Sequence, residues 1–109
     1  MIHDTISKIE ARLAQSTVRD EAKTELTTLL ATLKAEVADL SKTHGDAAQS
    51  IAGFTELSAH EATREQPNPE LLKHSLGGLS ASVEGFETSH PRLVDIVNRI
   101  CTTLSNLGI

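Results

Sequence analysis

Four stretches of this 109-residue chain place aliphatic side chains at alternating four- and three-residue steps, and that spacing limits its fold more than any other feature. The most continuous run is Leu72, Leu76, Leu79, Val83 and Phe86, which resumes beyond Pro91 as Leu93, Val97, Ile100, Leu104 and Leu107. Steps of four and three keep side chains on one face of a helix, and such a face must be given to another helix. Two runs precede it, Ile2, Ile6, Ile9 and Leu13, then Leu26, Leu30, Leu33, Val37 and Leu40. They are out of heptad phase with each other, so the chain must turn or kink near residues 15–19. The β-branched residues follow helical spacing rather than alternation. The fold class is therefore all-α: a small bundle of four or five amphipathic helices with coiled-coil-like 4-3 seams, with residues 1–109 as a single helical domain.

The punctuation between the stripes places further breaks near residues 42–46, 65–69 and 87–91. Lys42, His44 and Gly45 suit the end of the second helix, and Asp46 suits the cap of the third. The third helix has a shallow face of mostly small residues (Ala47, Ala48, Ile51, Phe54, Ala59 and Ala62), which predicts loose anchoring. Gln66-Pro67-Asn68-Pro69 ends it, because each proline removes a donor and extends its predecessor. Asn68 can cap the fourth helix with Pro69 in its first position. In that helix Ser75, Gly78, Ser82 and Gly85 form a second stripe, of small residues, beside the leucines. Two adjacent glycines, Gly77 and Gly78, each cost about 1 kcal/mol relative to alanine inside a helix. Either a partner helix approaches closely there or the helix kinks. Ser89-His90-Pro91 opens the last helix, and Gly108 suits a left-handed residue at its end. The core is expected to contain Leu79, Val83, Phe86, Leu93, Val97, Ile100 and Leu104.

Charge excludes some functions. Of the net −5, residues 1–45 carry six basic and seven acidic side chains, whereas residues 46–91 carry two basic and seven acidic. Such a middle repels phosphates, and no basic stripe with interleaved aromatics offers itself to nucleic acid. The acidic run reads first as a solvated face and second as a docking surface for a basic partner. No signal-like opening and no apolar run of about 20 residues is present, so a membrane role is not expected. With one cysteine, the expected compartment is the cytoplasm. Cys101, beside Ile100, reads as a small hydrophobe rather than a nucleophile.

The tail reads Phe86-Glu87-Thr88-Ser89-His90-Pro91-Arg92-Leu93, then Val97-Asn98-Arg99-Ile100, then Leu104-Ser105-Asn106-Leu107-Gly108-Ile109. It resembles the end of a small bacterial family, domain of unknown function 4404, whose members are short, helical, cytosolic proteins. The resemblance is best over the last 25 or so residues and extends to the amphipathic N-terminal half. It implies a fold and a compartment. It brings no catalytic residue and no ligand.

Chemistry has few candidates. Glu56 with His60 and Glu70 with His74 are i,i+4 pairs on helices joined by the proline-rich turn, so a hairpin could bring four N/O ligands to zinc or iron. Their spacing differs from the Glu-x-x-His of di-iron bundles, and exposed helix pairs are the plainer reading, so no metal and no cofactor is expected. His90 reads as a corner residue packed beside Pro91 rather than an acid or base, since no second positioned group accompanies it. Gly77-Gly78 fits no phosphate loop, and no serine has an elbow or oxyanion-forming loop. Two function classes remain. The first is a non-enzymatic interaction or scaffold protein, self-associating as a homodimer or joined to a helical partner, because helices 1 and 3 offer too little bulk to cover the two long stripes. The second is a small-ligand or metal-binding bundle with its site between the third and fourth helices.

Overall fold

A computed structural model of the chain describes residues 2–14, 20–66 and 68–107. It contains five helices among them and no strand: α1 (Ile2–Ala14), α2 (Asp20–Leu40), α3 (Gly45–Thr63), α4 (Pro69–Ser82) and α5 (Pro91–Leu107). The expected break at residues 15–19 and the terminal role of Gly108 fall outside the described residues. The helices pack within 37 × 24 × 22 Å.

The two long aliphatic faces meet each other. On α2, Leu26, Leu29, Leu30, Leu33, Val37 and Leu40 are buried, and so are Leu93, Ile96, Val97, Ile100 and Leu104 on α5. These two helices pack side by side, with Ile6 and Ile9 of α1 and Leu72 and Leu79 of α4 joining one continuous core. Polar contacts follow the same neighbours. Lys34 Nζ of α2 lies 3.0 Å from Glu10 Oε1 of α1, and Arg92 Nε of α5 lies 3.7 Å from Glu36 Oε1 of α2. Both pairs are partly exposed and serve register more than stability. The seams that suggested a second copy are thus covered within one chain.

The third helix is where the structure departs furthest from expectation. Loose anchoring was predicted from its small side chains, yet α3 touches α1, α2, α4 and α5, and no other helix touches all the rest. Small side chains are the reason. Ala48, Ala52, Ala59, Ala62, Thr55 and Ser58 are buried, and with little bulk between them the neighbouring backbones come close on several sides. The Thr55 hydroxyl donates to the Ile51 carbonyl at 2.7 Å, so its burial leaves no unmet donor. Ser58 Oγ is buried without a hydrogen-bond partner among the described residues, a cost carried by the core.

Helix ends correct three further expectations. Gly45 opens α3 rather than closing α2, which ends at Leu40; His44 occupies the N-cap position without a side-chain cap, and Asp46 lies in the first turn. The fourth helix ends at Ser82, so Val83 and Phe86 follow it in the turn and Gly85, at φ +94°, serves that turn instead of a helical stripe. Its N–H donates to Glu87 Oε2 at 2.8 Å. Phe86 is only half-buried against the core, while Leu79, Val83, Leu93, Val97, Ile100 and Leu104 are buried as expected. At the start of α4 the reading holds: Asn68 Oδ1 accepts from the Glu70 and Leu71 N–H groups, with Pro69 in first position. The helix runs through Gly77 and Gly78 without breaking.

Candidate interaction surface

The large apolar side chains left exposed among the described residues are Phe54 at 37%, Leu57 at 46% and Leu71 at 47%. All three lie on α3 and α4, the pair of helices in most extensive mutual contact. Their antiparallel packing explains the position of Phe54. A Cβ at Gly78 would collide with the Phe54 ring, so the missing side chain on α4 is what lets the ring lie across it. Close approach of a neighbouring helix therefore accounts for Gly78. It does not account for Gly77, where a Cβ would meet nothing within 4 Å.

Beside Phe54 the solvent side of α3 is indented. Gly53, Glu56, Leu57 and His60 line a shallow, open depression of about 250 Å³. Its floor is Gly53, whose Cβ position is also empty to 4 Å. Arg64 Nη1 pairs with Glu61 Oε1 at 2.9 Å, and His60 Nε2 lies 3.9 Å from Glu61 Oε2. Glu61 is buried and Arg64 and His60 are exposed, so the pair sits at the edge of the α3–α4 interface. The carboxylates of Glu56, Glu65 and Glu70 have no ion pair among the described residues.

The candidate metal ligands divide between the helices. Glu56 and His60 line the α3 depression, whereas Glu70 and His74 are exposed on α4. The hairpin exists as proposed, but no group of three or more His, Cys, Asp or Glu side chains among the described residues is placed to hold a metal ion. His90 stands at a corner. Its ring meets Phe86 at 5.6 Å and His44 at 6.2 Å between centroids, each edge-on, and its Nδ1 lies 2.9 Å from Ser89 Oγ. His44 repeats this arrangement at the start of α3, with Nδ1 2.8 Å from Thr43 Oγ1 and its ring 5.3 Å from Phe86. The two histidines thus clasp the half-buried Phe86 where α3 and α5 begin. Cys101 Sγ lies 3.9 Å from the Leu76 carbonyl, and burial pushes its thiol up, away from the thiolate that a nucleophile requires.

Two other hollows are less promising. Leu26, Leu30, Thr55 and Leu104 border an apolar space of about 10 Å³ in the core, room for no more than one water. Between α2 and α5, Glu21, Glu25, Leu29 and Arg99 border an open cleft of about 630 Å³. No helix among the described residues is long and apolar enough to cross a membrane.

Leu57 and Leu71 are absent from the stripes that the periodicity picks out, and that is the signal that could have found this surface: leucines out of phase with a helix's buried face must be covered by something else or left in water. Gly53, inside a helix and away from any turn, is a second such signal. Compared with known proteins, the chain matches one family model, described as "Domain of unknown function (DUF4404)", over residues 26–109. No curated protein and no solved structure matches it.

Proposed function

The chain belongs to the DUF4404 family, and we propose that it serves as a non-enzymatic helical interaction module, receiving a partner on the outer face of α3 and α4. One observation carries this reading. Among the described residues the long aliphatic faces of α2 and α5 are buried inside the chain, while the exposed large apolar side chains, Phe54, Leu57 and Leu71, gather on one helix pair. Scattered single hydrophobics mean little on a protein surface; apolar side chains on adjoining helices are the usual material of a helix-docking site. Metal or small-ligand binding between α3 and α4 has less support, because the four candidate ligands do not form one set.

Photo-cross-linking in the native host tests the proposal. A benzophenone amino acid at Leu57 or at Leu71 should give one discrete adduct. The same group at Ala31, exposed on α2, should not. The adduct's mass distinguishes a second copy from another protein. Absence of any adduct at Leu57 and Leu71, or equal yields at all three positions, would refute it.

A further inference from the structure

The inference rests on the interaction reading above and names the partner's chemistry. Gly53, Glu56, Leu57 and His60 are positions i, i+3, i+4 and i+7 of one helix, and together they line the depression on α3. Four residues so spaced form the hole that receives a side-chain knob when two helices pack. Among the described residues nothing fills it. Gly53 keeps the floor low although no neighbour requires a glycine there, since a Cβ would meet nothing within 4 Å. Glycine inside a helix weakens it, and one recurring return for that cost is close approach by a partner's backbone or side chain.

We propose that this hole receives an apolar knob from a basic amphipathic helix of another protein. Charge selects the partner. The hairpin from Gly45 to Ser82 carries Asp46, Glu56, Glu61, Glu65 and Glu70 against Arg64 and Lys73. Arg64 is already paired with Glu61. Glu56 stands on the wall of the hole, and its carboxylate is left to meet an incoming cation. A lysine or arginine flanking an apolar residue on the partner would find this carboxylate on an acidic hairpin, whereas an acidic helix would be repelled. A second copy of this chain fits poorly. About a two-fold axis through this hole it would set Glu56 against Glu56.

Amide chemical shifts of the full chain, followed during titration with synthetic amphipathic helices about five turns long, test the proposal. One peptide carries leucine and lysine, and the other carries leucine and glutamate in the same pattern. The lysine peptide should shift Gly53, Glu56, Leu57 and His60 saturably, and the glutamate peptide should not. Gly53→Leu, which fills the hole, and Glu56→Lys, which reverses its charge, should each weaken binding at least tenfold while circular dichroism shows the helices intact. Binding that maps elsewhere, equal binding of the two peptides, no saturable shift, or an unchanged affinity in Gly53→Leu would overturn the assignment. A cross-link at Leu57 that persists despite such a failure removes only the basic-helix partner; loss of the cross-link removes the interaction reading itself.

Discussion

Gly77 and Gly78 are neighbours in sequence and opposites in environment, and the difference can be measured. Gly77 faces open space, so Gly77→Ala should stabilise the protein by about 1 kcal/mol, the ordinary helix-interior difference. Gly78→Ala should give no such gain, because its methyl displaces the Phe54 ring; combined with Phe54→Ala, the gain should return. Denaturant midpoints of Gly77→Ala, Gly78→Ala, Phe54→Ala and the Phe54→Ala/Gly78→Ala double variant check this, and a gain from Gly78→Ala alone would show that the ring swings away at no cost. The glycine pair was visible in the sequence, but which of the two a neighbour covers depends on the register between α3 and α4. Cys101 offers a second residue-scale check. Burial raises its pKa, so the folded chain holds the thiol proton more tightly than the unfolded chain does. The associated stability is present below about pH 8.5, where a free thiol stays protonated, and is lost as pH rises toward the folded value. Between pH 8 and 10 the wild-type midpoint should fall further than that of Cys101→Ala. Parallel profiles would mean that the thiol reaches water.

At the scale of the element, capping separates what local sequence determines from what it does not. Asn68 accepts two backbone N–H groups at the start of α4, so Asn68→Ala should cost about 1 kcal/mol and Asn68→Asp much less. Thermal unfolding decides, and an unchanged melting temperature in Asn68→Ala would show that Pro69 alone starts the helix. This cap was legible because proline and asparagine act through their own geometry. The start of α3 was not: Asp46 is the better capping residue, yet the chain leaves α2 at Leu40, and His44 takes the cap position where its ring packs against Phe86. The early end of α4 has the same origin. Val83 and Phe86 continue the apolar spacing, but the tight turn at Gly85, with its positive φ, ends the helix and still leaves Val83 in the core.

For the whole molecule, periodicity predicted four or five amphipathic helices, and the stripes it picked out supply most of the buried core, because burial of a stripe is a one-dimensional property of a helix. It did not identify which helix lies in the middle. Bulk suggested that α3 was peripheral; its alanines, threonine and serine make it the helix around which the others close. With α2 and α5 covering each other, the folded chain exposes 6327 Å². The exposed apolar side chains of α3 and α4 left only a weak trace in the sequence: Leu57 and Leu71 fall outside the stripes, and their exposure follows from which face of each helix is buried. The account's central claim is that one chain closes its own core around α3 and keeps only the α3–α4 face for a partner. Sedimentation equilibrium of the purified protein at micromolar concentration tests it most directly. A single species near 11.7 kDa is predicted, and a species of twice that mass would contradict the claim.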